Sequence, residues 1–99
     1  MIQDGRISER VIRQRLVFTG RVQGVGFRFR AKQAANIYGL TGWVKNEWDG
    51  SVVLEVQGSL YAINELMKYI NSSPFIVIDW IDRETIPYDP TDSGFLVIH

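Results

Sequence analysis

Along the chain, apolar positions alternate between a period of two and a period near three and a half, and the changes of period divide it into elements. Arg15 through Phe18 and Thr19 is apolar and β-branched, which predicts a first strand running into a turn that holds Gly20, Gly24 and Gly26. Phe27, Ala31, Ala34, Ala35 and Tyr38 then recur at helical spacing, predicting a helix that stops at Gly39 and carries Arg28, Arg30, Lys32 and Asn36 on its opposite face. Thr41 to Asn46 reads as a second strand and Trp48-Asp49-Gly50 as a hairpin turn. In the third strand Val52, Leu54 and Val56 alternate with Val53, Glu55 and Gln57. Ser59 is placed to cap a second helix with the stripe Leu60, Ile63, Leu66, Met67 and Ile70, ended by Ser72-Ser73-Pro74. Phe75 to Glu84 predicts a fourth strand, Pro87 to Gly94 a polar connection, and Phe95 to Ile98 a short closing strand. Residues 1–14 show only scattered Ile and Val, so they are expected to form a loose extension, with the domain spanning 15–99.

The resulting order, β-α-β-β-α-β, is the split βαβ arrangement of the α+β class, with two helices on one face of an antiparallel sheet. A helical crossover between strands one and two makes them parallel and leaves room for strand three between them. Their C-terminal ends then share one edge of the sheet. The loop at 24–28 and the hairpin at 46–50 are therefore expected to open on the same rim, with Asn46 near the glycine-rich turn.

Composition narrows the chemistry. Ninety-nine residues, 45% of them hydrophobic and 22% charged, make one small folding unit with no room for a separate cofactor domain. The chain has no Cys, which removes disulfides, thiolate nucleophiles and Cys-ligated zinc, and its one His is His99, the last residue, discounted here as a general base or metal ligand. Formal net charge is zero, yet residues 1–50 hold 9 Lys/Arg against 4 Asp/Glu, a net +5, and residues 51–99 hold 2 against 7, a net −5. A local positive field of this kind suits a small anion better than a polyanion, which is usually met by a wider basic excess. The apolar run Phe75 to Ile78 falls far short of the roughly 20 residues of a membrane span, and no signal-like start is present, so a cytoplasmic protein is expected.

The stretch G-R-V-Q-G-V-G-F-R at 20–28 is the candidate anion site. Glycine tolerates positive φ and lets backbone come close to a ligand, and amides at a loop-to-helix junction point toward a common centre. Arg28 falls in the first helical turn, where the helix dipole disfavours a cation. A bidentate fork facing a phosphate accounts for that position. The spacing matches neither G-x-x-x-x-G-K-[ST] nor G-x-G-x-x-G. Taken alone, the glycines fit a plain strand-to-helix turn with a solvated Arg28 equally well.

With G-L-T-G-W-V-K-N-E-W-D-G at 39–50, the stretch closely resembles the acylphosphatase family, in two spaced motifs and in element order from about residue 15 onward. The resemblance implies a ferredoxin-like α/β sandwich that hydrolyses the carboxyl–phosphate anhydride of small acyl phosphates without metal or cofactor. It further implies that Arg28 binds the phosphate together with the amides of Gln23, Gly24, Val25, Gly26, Phe27 and Arg28, and that Asn46 orients the attacking water. For Asn46 the competing role is a strand-end or turn cap. The expected partners are a small acyl phosphate and, as competing anions, inorganic phosphate or sulfate. A monomer is expected, with no nucleic acid and no membrane. Two further readings of the same fold remain. One is a non-catalytic anion-binding module like that at the front of larger carbamoyl-transferring maturation proteins, although no zinc-binding or transferase segment follows here. The other is an RNA-binding sheet, disfavoured by the absence of aromatics from strand three. Residues 1–14 and the ending F-L-V-I-H depart from the family pattern.

Overall fold

A computed structural model describes residues 10–99, and residues 1–9 of the expected extension lie outside the described residues. The elements are β1 (Val11–Arg21), α1 (Phe27–Tyr38), β2 (Thr41–Asn46), β3 (Val52–Ser59), α2 (Leu60–Asn71), β4 (Val77–Ile86) and β5 (Phe95–Ile98). They form one five-stranded sheet in the order β4-β1-β3-β2-β5. As expected, β3 lies between β1 and β2 and runs antiparallel to both, with Leu16 opposite Leu54 and Val44 opposite Leu54 in the two registers. The C-terminal ends of β1 and β2 therefore share one rim.

The core forms because the period-two residues of the strands and the period-3.6 residues of the helices meet on one face of the sheet. Leu16, Phe18, Val44, Leu54 and Val56 pack there against Ala31, Ala34 and Ala35 of α1 and Ile63, Leu66 and Ile70 of α2. Phe18 at the end of β1 meets Phe27 at the start of α1 edge to face, with centroids 4.9 Å apart, so the glycine-rich loop is anchored by core residues at both ends. Small side chains on α1 let α2 approach, and Arg30 uses that proximity. Expected on a solvated face, it instead lies over the Tyr69 ring, 4.6 Å from the centroid, and donates to the Tyr69 carbonyl and Ser72 hydroxyl.

Several expected boundaries and placements shift. β1 starts at Val11, four residues earlier than the apolar pattern suggests, because its polar residues are paired within the sheet. Arg13 is buried between Glu55, 3.1 Å away, and Asp92, 2.8 Å away, while Gln14 bonds Thr85 and Arg83. β4 runs two residues later at each end than expected, and Leu60, assigned to the α2 stripe, is 48% exposed at the helix start. The antiparallel sheet extends over four strands. β5 adds a parallel pair to β2, from Gly42 opposite Phe95 to Lys45 opposite Ile98.

β5 reaches that edge because the connection 87–94 crosses from β4 over the face of the sheet opposite the helices. Gln57 exchanges two hydrogen bonds with the Asp89 backbone, at 2.8 and 2.9 Å, and Arg13 holds Asp92. Burial on its own would lower the Arg13 pKa, but hydrogen bonds and attraction from Asp92 and Glu55 outweigh it and raise the value above the ordinary one. The guanidinium stays charged. Among the described residues no helix is long and apolar enough to cross a membrane.

Candidate active site

The loop between β1 and α1 takes its shape from Gly24 and Gly26, at φ 72° and 81°. A Cβ built at either position meets no atom within 4 Å, so it is the backbone conformation, not a lack of space, that favours glycine there. Gly26 is the N-cap of α1 and brings no side chain to cap it, and the first turn contains no acidic residue. The first helical bond is from the Arg30 amide to the Gly26 carbonyl, 3.0 Å. The preceding amides of Phe27, Arg28 and Phe29 thus remain as donors at the positive end of the helix dipole. Capping side chains would normally occupy such a terminus.

Gly24, Gly26, Phe27, Arg28 and Asn46 line one cleft of about 360 Å³. Two motifs separated in sequence thus meet on one rim, as the parallel β1 and β2 require. Phe27 is itself core, 2% exposed, so the backbone it carries is held firmly. Val25 packs against the core and does not line the cleft. Gln23 has a role that its place in the loop does not suggest. Its side-chain Nε2 donates to the carbonyls of Glu47, at 2.6 Å, and Ser51, at 2.9 Å, which ties the anion loop to the hairpin that carries Asn46.

Asn46 ends β2 opposite Val52. Its Oδ1 is buried and has no hydrogen-bond partner among the described residues. A turn cap would spend that atom on the hairpin backbone, yet the hairpin is closed by others. Glu47 N–H donates to the Ser51 carbonyl at 2.8 Å, and Asp49 Oδ1 accepts from the Ser51 amide at 2.9 Å and its hydroxyl at 2.7 Å. Those bonds, the hydroxyl first, hold the Asp49 carboxyl below its ordinary value. Asn46, a residue of the cleft wall, is left with a buried and unpaired acceptor, a state that costs about 1–3 kcal/mol unless something donates to it.

His99, set aside in the sequence as a terminal residue, also lines this cleft. The parallel pairing of β5 beside β2 carries the chain end to the same rim. Arg28 Nη1 donates to the Ile98 carbonyl at 3.4 Å and lies 3.4 Å from His99 Nδ1, which accepts if the imidazole carries its proton on Nε2. Both contacts are long, so they steer the guanidinium without fixing it. A short strand after a polar connection was visible in the sequence, but the edge it joins was not.

Fold and site together define a ferredoxin-like α/β sandwich with an anion cleft of loop amides, one arginine and one unpartnered asparagine oxygen. The acylphosphatase family model matches residues 14–97, and the chain belongs to that family. An acylphosphatase of Clostridium perfringens is 38% identical over 86 residues, which cover 86% of this chain and 97% of the relative. The crystal structure of acylphosphatase from Bacillus subtilis superposes with a TM-score of 0.81 at 31% identity, covering 91% of this chain and all of that one. Full-length HypF in its phosphate- and nucleotide-bound form is similar over 97% of this chain but only 13% of its own length, with a TM-score of 0.81 and 28% identity.

Proposed function

We propose that the chain is an acylphosphatase that hydrolyses small acyl phosphates to carboxylate and inorganic phosphate by in-line attack of a water held by Asn46. The observation that carries this reading is the single cleft lined by Arg28, the uncapped start of α1 and Asn46, whose Oδ1 no other group in the described residues uses. In the reaction the water oxygen bonds to phosphorus as the bond from phosphorus to the acyl oxygen breaks. The carboxylate leaves with that electron pair. Because this leaving group is already stable, the protein needs chiefly to position water and stabilise charge on the phosphoryl oxygens.

Arg28 and the amides of the loop Gln23 to Arg28, of which Gly24, Gly26, Phe27 and Arg28 line the cleft, serve as donors to those oxygens. The Asn46 side-chain amide holds the water in line and is too weak a base to deprotonate it. The proton passes to the substrate phosphate. Inorganic phosphate and sulfate compete for the same donors. A working monomer in a cytoplasmic setting belongs to the same reading, and the absence of cysteine suits that setting.

The similarity to a segment of HypF keeps the binding-module reading in view, and the orphaned Asn46 oxygen favours catalysis over binding alone. Against an RNA-binding sheet, Glu55 and Gln57 on the open face of β3 are engaged with Arg13 and Asp89. The test is an assay of the purified chain on benzoyl phosphate in the presence of a chelator. Enzyme-dependent release of benzoate and phosphate is expected; release no faster than in buffer alone would leave only an anion-binding module.

A further inference from the structure

The cleft is larger than its phosphate end requires. At about 360 Å³ it has room for much more than a phosphoryl group of four heavy atoms. Beyond Arg28, the walls include Val97 of β5 and two further residues of α1, Phe29 and Lys32. Phe29 is 66% exposed, an apolar ring facing the opening rather than the core. Lys32 lies four residues after Arg28, so the two cations share one helical face about 6 Å apart along the axis. Among the described residues, Lys32 forms no ion pair, and no Asp or Glu side chain lines the cleft.

We infer that Phe29, Val97 and Lys32 form the acyl-group subsite, and that Lys32 selects acyl phosphates whose acyl chain ends in a second anionic group. This rests on the acyl phosphatase reading above. With the phosphoryl group at Arg28 and the loop amides, in-line attack sends the carboxylate leaving group away from the water at Asn46. A short methylene chain then has Phe29 and Val97 to lie against, and a distal carboxylate has Lys32 within reach along the helix. The pairing is with an exposed lysine, so the discrimination is modest and sensitive to salt.

Succinyl phosphate and butyryl phosphate provide the comparison, since both have four-carbon acyl chains and differ in the distal carboxylate. In the wild-type chain at low ionic strength, kcat/KM for succinyl phosphate should exceed that for butyryl phosphate by roughly twofold to fivefold, mainly through KM. The preference should shrink toward one at about 1 M salt. Lys32→Gln should abolish the ratio, and Lys32→Glu should invert it. A ratio that is the same in the wild type, Lys32→Gln and Lys32→Glu overturns the subsite, whether because the lysine is only solvated or because it serves the phosphate of both substrates alike. If neither compound is turned over by the wild type, the hydrolase reading falls and the subsite with it. Turnover of both at an unchanged ratio removes the subsite alone.

Discussion

Arg28 and Asn46 enter the same cleft with unlike chemistry, and their substitutions should separate accordingly. A guanidinium that grips phosphoryl oxygens before and during the reaction contributes to both states, so Arg28→Ala should lower kcat and also raise KM and the Ki for inorganic phosphate. Arg28→Lys should recover little, because an ammonium has no planar fork. Asn46 offers one buried acceptor that its own hairpin does not use. Its contribution therefore falls mainly on the step in which water attacks. Asn46→Ala should reduce kcat on the order of 10²-fold, as losing a positioned polar group does elsewhere, while phosphate inhibition barely changes. The hairpin should survive the change, since Asp49 and Ser51 close it, and circular dichroism can verify that. Assignment of the water to Asn46 fails if the folded variant keeps near wild-type kcat or loses only phosphate affinity.

At the scale of elements, the loop and the hairpin work as one unit because Gln23 bridges them. Gln23→Ala removes two side-chain hydrogen bonds, together worth about 1–3 kcal/mol, and frees two motifs to drift relative to one another. A displacement near 1 Å can cost a large factor in rate. We expect a fall in kcat/KM of roughly tenfold, larger than the accompanying loss of stability would explain at 25 °C, measured by kinetics alongside thermal melting. An unchanged kcat/KM in a destabilised variant would confine Gln23 to a structural role. This bridge also shows where sequence patterns stop being informative. The glycine spacing, the helix stripe at Phe27, Ala31, Ala34 and Ala35, and the rim shared by β1 and β2 were all legible, because periodicity and crossover topology act locally or by a general rule. The target of a long polar side chain obeys neither. Arg13 interrupted the apolar pattern and looked like part of an extension, yet its partners Glu55 and Asp92 lie 42 and 79 positions away in the chain. Arg30 and His99 escaped for the same reason, one meeting α2 and the other reaching Arg28 only through the parallel docking of β5.

Over the whole molecule, the sheet carries its core on one face and a charged network on the other, and each gives stability a separate dependence. Arg13 is 7% exposed with Glu55 and Asp92 at 16% and 17%, so removing the guanidinium leaves the largely buried Asp92 carboxylate without its ion pair and Glu55 with Arg15 alone. Arg13→Ala should cost about 3 kcal/mol or more, lowering Tm by more than roughly 10 °C for a domain of this size. Arg15→Ala, at an exposed pair with Glu55, should cost under about 1 kcal/mol. On the acid side, Asp89 is the useful reporter: hydrogen bonds from Thr91, hydroxyl first and amide second, hold its carboxyl below the ordinary value of 3.8. A depressed aspartate adds stability that is complete above 3.8 and disappears as pH falls through the lower folded value. Tm of the wild type should therefore decline below pH 4, more steeply than that of Asp89→Asn. Anion binding stabilises through a different route. Inorganic phosphate that occupies the preformed loop binds only the folded chain, so a hundredfold excess over Kd should add about 2.7 kcal/mol and raise Tm accordingly. Sulfate and phosphate also stabilise proteins by exclusion from the surface, which needs no site. Arg28→Ala separates the two causes, because exclusion is indifferent to one side chain and the loop is not. A rise in Tm that saturates with phosphate in the wild type and is absent or much weaker in the variant assigns the effect to the cleft; equal, unsaturating rises in both would mean that no specific anion site exists.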